Sequence, residues 1–384
     1  MNVKLLEESA LRHYEFPITD QKVFLAHAAA SPLPRRVSSA MMQYLAVASA
    51  EGQWEYLYAD IEEETRRYAA RLIGAQEEEI AFVSSTSMGL SMVASSISWR
   101  KGDNVVIADG DFPSNIYPWL NLQSRGVTVK FIPRHHDGAV TLDDVMNQVD
   151  DNTRLVSLSS VNYITGYKID IPAIGQYLHE NGILFCVDAI QSLGAIPIDT
   201  IYVDFLAAGA HKWLLGPQGI GILYVKRCNI EKLTPVLAGW KCVQSSKKYL
   251  NYDFCLLDSA KCLEPGGINI TGIVGLHAAL GLLLETGIDE IAGRLAGFRK
   301  IMKPALREKG YDLIGPSDDE LSSGITSFSS QTLGITNLRQ KLDNNGFVVS
   351  LRDSLDGRKC IRISPHFYNS ADEIALFLAE LPYC

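Results

Sequence analysis

Between about residues 21 and 285 the chain repeats one pattern: a short, mainly apolar run, then an amphipathic stretch, then another run. The runs are Ile80–Val83, Asn104–Ala108, Thr128–Ile132, Leu155–Ser159, Leu184–Val187, Phe205–Ala208 and Gly221–Val225. A run such as Leu184-Phe-Cys-Val187 is apolar on both faces, as a strand must be when helices cover both sides of its sheet. Helical patterns over Met88–Ser98, Ser114–Gln123 and Ile174–Asn181 separate several runs. Strands joined through helices are βαβ units, so the spacing predicts an α/β fold with a mainly parallel seven-stranded sheet.

The pattern changes after about residue 285. A long helix, Ile288–Lys309, leads into strand segments Ile325–Ser329, Phe347–Leu351 and Cys360–Ser364, and a helix over Ala371–Leu381 follows. This reads as a smaller C-terminal α+β domain over 286–384, with residues 1–20 attached, beside a large domain over 21–285.

Composition narrows the partners. Of 384 residues, 47% are hydrophobic and 21% charged, which supplies a large core and excludes disordered, collagen-like and disulfide-stapled chains. A net charge of −9 gives nothing to neutralise phosphates in bulk, so no nucleic-acid partner is expected. The seven cysteines (186, 228, 242, 255, 262, 360 and 384) are odd in number and form no CxxC pair. That argues against a disulfide framework or a zinc site, and for a reducing compartment. The start, MNVKLLEESALRHYEF, has no apolar leader run. The longest apolar stretch, Ile273–Leu284, contains His277 and is too short to span a bilayer. A soluble cytoplasmic protein with no membrane partner and no metal is the expectation.

In open parallel sheets, ligands bind outside the carboxyl ends of the strands, so polar residues just after the runs come first. Lys212 follows a run and precedes the loop Gly216-Pro-Gln-Gly-Ile-Gly221. A lysine after a strand is ordinarily solvated, but this one is flanked by apolar residues and glycines. In an apolar cleft its pKa falls and it can form a Schiff base. Asp188 ends an apolar run, where a carboxylate needs a buried partner. It is either a helix N-cap or the counter-ion of a cationic ring nitrogen. Gln191, three residues on, is placed to donate to a neighbouring ring oxygen. Ser84-Ser-Thr-Ser-Met-Gly-Leu lies between a run and a helix, where hydroxyls and backbone N–H groups hold phosphate or simply cap the helix. Arg362 sits inside the apolar segment Cys360-Ile-Arg-Ile-Ser. Its planar fork suits a carboxylate, either of a ligand or of an internal ion pair. Together these parts would hold pyridoxal phosphate and an α-amino acid.

At these residues the sequence resembles the class V aminotransferase family of pyridoxal-phosphate enzymes, which includes cysteine desulfurases and isopenicillin N epimerase-like proteins. The resemblance runs from Phe24-Leu-Ala-His-Ala-Ala-Ala-Ser-Pro to Arg362-Ile-Ser-Pro-His-Phe-Tyr-Asn. It is most specific at Val187-Asp-Ala-Ile-Gln-Ser-Leu-Gly and Gly209-Ala-His-Lys-Trp-Leu-Leu-Gly-Pro. It implies fold type I and a homodimer with active sites at the interface. Lys212 is then the Schiff-base lysine, Asp188 the partner of the pyridinium nitrogen, and Gln191 the contact of the ring's phenolic oxygen. His211, Thr86, Ser85 and Ser87 hold the phosphate. Phe112 stacks on the ring, Arg362 binds the substrate carboxylate, and Tyr163 stands near the ring on the substrate side. Asn269, in Glu264-Pro-Gly-Gly-Ile-Asn269, belongs to a loop that reaches the partner's cofactor.

The chain also departs from the family. Gly209 stands where many desulfurases have serine, and Gly267 where threonine is frequent. The Arg-x-Gly-His-His-Cys element is absent from Leu351–Arg362. Cys360 reads as a buried structural cysteine rather than a persulfide carrier. The resemblance therefore implies an epimerase-like or transaminase-like reaction at Cα of a small amino acid. A cysteine, selenocysteine or cystine C–S lyase is the alternative, and a catalytically inactive binding protein a further one. The glycines at 216, 219 and 221 do not form a GxGxxG motif before a helix, and no GxxxxGK[ST] occurs, so nicotinamide and P-loop readings fall away.

Overall fold

The computed structural model describes residues 9–53, 59–246, 248, 250 and 252–384. The short pair β1 (Val23–Phe24) is followed by the seven strands the apolar runs predict: β2 (Ile80–Val83), β3 (Asn104–Ala108), β4 (Thr128–Ile132), β5 (Thr153–Ser159), β6 (Leu184–Asp188), β7 (Phe205–Gly209) and β8 (Gly221–Val225). They form one sheet in the order β2-β8-β7-β6-β5-β3-β4. All neighbours are parallel except at β8, which runs antiparallel to both β2 and β7. Every residue of β2, β3, β7 and β8 is buried, as two-sided helix cover requires. The edge strand β4 is mostly exposed or half-buried.

Flanking helices form where local signals allow. Thr86–Ser96 is capped by Ser85, whose hydroxyl accepts from Met88 N. Ile171–Glu180 starts at Asp170 with a proline in its first turn. The expected helix over Ser114–Gln123 breaks into short pieces, Pro113–Asn115, Tyr117–Leu120 and Asn121–Arg125. Pro113 and Pro118 each open a new piece because neither ring can continue a preceding turn.

A second sheet carries β9 (Asp312–Ile314), β10 (Thr326–Ser329), β12 (Ser350–Asp353) and β13 (Lys359–Ile363) in the order β12-β13-β10-β9, all antiparallel. β9 was not legible from the apolar runs. The segment Phe347–Leu351, expected as one strand, is split between two partners. β11 (Phe347–Val348) pairs in parallel with β1, while β12 turns to β13. The N-terminal segment stays with these C-terminal elements as far as Ala26, which bridges to Ser364. Phe16 stacks on Tyr368 at 3.8 Å between ring centroids.

Among the described residues no single helix is long and apolar enough to cross a membrane. The apolar Ile270–Thr286 helix is a core element, with Ile273, Leu276, Leu280 and Leu283 fully buried.

Candidate active site

β2 runs parallel to β7 because both oppose β8, so the carboxyl ends of β2, β3, β5, β6 and β7 lie on one edge of the sheet. Just beyond those ends come Ser85–Ser87, Phe112, Tyr163, Asp188 and His211–Lys212. All of them line one cavity of about 410 Å³, together with Ala28, Ala29, Ser114, Ile190, Arg352 and Arg362. That is enough room for a cofactor and a small ligand.

Lys212 is 8% exposed, and its Nζ lies 5.5 Å from the centroid of the Phe112 ring. Burial lowers its pKa; Asp188 opposes that fall, while Arg362 and Arg352 deepen it. Asp188 is 1% exposed, and burial raises its pKa, helped by the nearby Asp111 carboxyl. Its Oδ1 accepts from Ile190 N at 3.0 Å, while its Oδ2 is buried with no hydrogen-bond partner. Of the two readings of Asp188, the helix N-cap falls away, because residues 190–195 form turns rather than a helix.

The backbone around the lysine is pinned from three sides. Ser31 Oγ donates to Lys212 O at 2.6 Å, and Ser31 N donates to His211 O at 2.8 Å. His366 Nε2 donates to Trp213 O at 3.0 Å. The Trp213 backbone passes so close to Gly194 that a Cβ there would come within 2.4 Å of Trp213 O; at φ +96° only glycine fits comfortably. A Cβ at Gly209 would stand 3.2 Å from His211 Nδ1. A serine at 209 would require the imidazole to give by a few tenths of an ångström. Gly209 N donates instead to Thr86 Oγ1 at 2.9 Å, tying the hydroxyl-rich helix start to the end of β7. Ser87 Oγ meets Ser114 Oγ at 2.7 Å. Burial, then the Lys212 charge, lower the His211 pKa.

Arg362 lies in β13 and is 1% exposed. Its Nη1 donates to Tyr163 O at 2.6 Å, and its Nε and Nη2 have no partner. Burial, and then repulsion from Arg352, push its pKa down to about 9. This excludes the internal ion pair as the reading of Arg362. Tyr163 meets Phe112 edge to face at 5.2 Å, and burial raises its phenol pKa. Six buried side-chain polar atoms lack a hydrogen-bond partner among the described residues, and three of them belong to Asp188 and Arg362 in this one cavity.

Two expected residues lie elsewhere. Gln191 is buried behind the cavity wall: its Nε2 donates to Ala28 O at 3.0 Å, and its Oε1 accepts from Trp213 Nε1 at 2.9 Å. Its amide thereby ties Ala28, which lines the cavity, to Trp213. Asn269 caps the Ile270–Thr286 helix through Gly272 N and donates to Gly219 O at 3.1 Å. It does not line this chain's own cavity. Glu264, at the head of that loop, is buried against Arg66 at 2.8 Å and accepts from Phe82 N.

Sequence reasoning passed over two residues. Asp111 accepts from Phe112 N, Asn115 Nδ2, Ser159 N and Ser159 Oγ, and so locks the Phe112 loop to the end of β5. Arg352 is set by strand register: it pairs with Cys360, two residues from Arg362, so all three share one sheet face. The opposite-strand spacing around Leu351–Ile361 was the available signal. Cys360 itself is fully buried beside Ile164 and Ile314, and burial pushes its thiol up to about 11. Among the described residues no His, Cys, Asp and Glu group is arranged to hold a metal ion.

Comparison with known proteins agrees with this geometry. The sequence model of the family described as Aminotransferase class-V matches residues 23–377. The chain is 30% identical to the probable cysteine desulfurase of Methanothermobacter thermautotrophicus, over 94% of each chain. It is 30% identical to the uncharacterized aminotransferase YcbU of Bacillus subtilis, over 95% of each. The apo structure of the cysteine desulfurase from Thermococcus onnurineus NA1 superimposes with a TM-score of 0.88 at 26% identity, covering 97% of this chain and 96% of that one. The residues present fit the cofactor of such enzymes: a buried, partnerless carboxylate oxygen suits a cationic ring nitrogen, and the capped helix start suits a phosphate. The chain belongs to the class-V aminotransferase family and is a pyridoxal-phosphate-dependent enzyme.

Proposed function

We propose that this enzyme acts at Cα of a small α-amino acid, by an epimerase-like or transaminase-like reaction. The observation that carries the reading is the cavity that combines Lys212, the partnerless Asp188 Oδ2 and the partnerless fork edge of Arg362. Lys212 would bind the cofactor's aldehyde carbon, Asp188 its ring nitrogen, Phe112 its face, and Ser85, Thr86, Ser87 and His211 its phosphate. When bound, pyridoxal phosphate supplies a sink for the electrons left at Cα.

The chain's own groups do the rest. Arg362 offers Nε and Nη2, the two donors of one fork edge, to the substrate carboxylate, which orients Cα toward the lysine. Lys212 Nζ takes the Cα proton and returns it; its lowered pKa makes the neutral amine accessible near neutral pH.

A C–S cleaving reaction is the second reading, favoured by the desulfurase names of the relatives. Among the described residues no cysteine lines the cavity, so sulfur would leave without a protein thiol to carry it. We also propose a cytoplasmic homodimer, supported by seven free cysteines and by Asn269 standing off its own cavity. Absorption spectra of the purified protein and its Lys212→Ala variant test the core reading. The visible band of lysine-bound cofactor is expected in the first and absent from the second; its persistence in the variant would overturn the assignment. Adding single amino acids and assaying keto acid, D-isomer, pyruvate and sulfide then separates the reactions.

A further inference from the structure

The peptide that carries Lys212 is held from the small sheet by a histidine whose protonation its partners dictate. His366 lies three residues beyond β13, and its Nε2 is 3.0 Å from Trp213 O. A carbonyl only accepts, so Nε2 carries a proton. The other ring nitrogen, Nδ1, is 2.8 Å from Phe367 N, which only donates. Nδ1 is therefore bare, and His366 is the neutral Nε2–H tautomer. The ring is fully buried, which pushes its pKa down to about 4. The titratable rings beside it, His27 at 5.2 Å and Tyr368 at 6.3 Å between centroids, direct their polar atoms to each other and to Ser364 O.

The same segment carries Arg362, four residues earlier. The chain between the two is held firmly. Ser364 N donates to Leu25 O, Ser364 O accepts from His27 N, and His366 N donates to Asn369 Oδ1. Trp213 is equally constrained on its other sides. Gln191 Oε1 takes its indole N–H, and a Cβ at Gly324 would come within 2.8 Å of the indole ring. The Trp213 carbonyl therefore cannot drift without moving the segment that carries Arg362.

This link matters because of how the site is divided. In an α-amino acid one carbon separates the carboxylate from the amine, so the two groups that receive them must keep a fixed spacing. Lys212 follows β7 of the large sheet, whereas Arg362 lies in β13 of the small sheet. Their spacing therefore depends on contacts between the sheets. The bond from His366 to Trp213 O is such a contact, one residue from the lysine. A misplacement of about 1 Å between reacting groups can cost on the order of 10²-fold in rate.

We propose that His366 is a positioning residue, whose Nε2–H holds the Trp213 carbonyl and so sets the spacing between the Arg362 fork and Lys212. It does not line the cavity and acts through Trp213. This rests on the roles of Lys212 and Arg362 given above, and adds the element that keeps the two in register.

The test compares two reagents on the cofactor-loaded protein, aminooxyacetate and methoxyamine. In both, the aminooxy nitrogen bonds to the cofactor's aldehyde carbon and the Lys212 amine leaves; only aminooxyacetate brings a carboxylate for Arg362. Loss of the visible band in stopped flow should be at least about tenfold faster with aminooxyacetate. His366→Leu, of similar volume but without the N–H, should bring that ratio toward one and leave the methoxyamine rate unchanged. His366→Gln keeps an N–H on a side chain of similar reach and should restore part of the ratio. A histidine that only stabilises the fold would lower the melting temperature and leave the ratio intact. Equal rates in the wild type would overturn the proposal, as would a ratio that His366→Leu leaves untouched. Long-range 1H–15N NMR of the histidine-labelled wild type reads the ring directly, so a His366→Leu protein that fails to fold does not block the test. An Nε2–H tautomer is expected at neutral pH, and an Nδ1–H or charged ring would overturn the proposal. This measurement needs no cofactor. A protein with no visible band would refute the lysine-bound cofactor reading instead, and the tautomer of His366 would still decide the bond to Trp213 O.

Discussion

Replacing Arg362 with methionine sets stability against binding, and the structure gives both signs. The guanidinium is 1% exposed, and two of its three nitrogens have no partner. Its pKa falls from the ordinary 12.5 to about 9. At about 1.4 kcal/mol per tenfold change, holding it charged costs up to roughly 5 kcal/mol. A cationic group with a depressed folded pKa contributes fully above its unfolded pKa and loses that contribution as pH falls through the folded value. At pH 7 the whole cost is therefore in place. Methionine removes the charge at similar volume but also frees Tyr163 O, which accepts from Nη1 at 2.6 Å. An unsatisfied buried carbonyl costs about 1–3 kcal/mol, so the net gain should be at most about 2–4 kcal/mol, within the range seen when buried charges become apolar. The same change removes a charge-assisted pair to the substrate and should weaken amino-acid binding about 10- to 100-fold. Urea unfolding at pH 7 without substrate, and spectral titration with amino acid, measure the two effects. A variant that is less stable and still binds normally would show that Arg362 is structural and that its neighbours already compensate its charge.

Asp188→Asn should keep the fold and lower kcat on the order of 10²-fold, because a neutral amide no longer offers an anion at Oδ2; unchanged turnover would place the ring nitrogen elsewhere. Gln191→Leu should destabilise the protein by about 1–3 kcal/mol, since it strands Trp213 Nε1 and Ala28 O; denaturant midpoints read this. Cys360→Ala should cost about 1 kcal/mol of packing and leave turnover in place, and lost turnover with an intact fold would restore a nucleophilic thiol.

Much of the site was legible because its parts are local to strand ends. An apolar run fixes a strand, the strand fixes its carboxyl end, and the next few residues must line the edge where ligands bind. That logic put Ser85–Ser87, Asp188 and Lys212 together from the sequence, and the family resemblance added Phe112. It reached Arg362 as an odd charge in an apolar strand.

What the chain reads locally, it determines by itself: the seven runs of the large sheet and the Ser85 cap. Tertiary structure decided whatever depends on partners far apart in sequence. Gln191 was read as a ring contact, and only the folded chain brings Trp213 and Ala28 within reach of its amide. Phe347–Leu351 looked continuous, yet β1 and β13 compete for its two halves. Arg352 entered the cavity through the register of an antiparallel pair, in which a slip of one residue would send it to the opposite face. Hydrophobic period fixes which face of a strand is buried, but only pairing fixes which side chains meet across it.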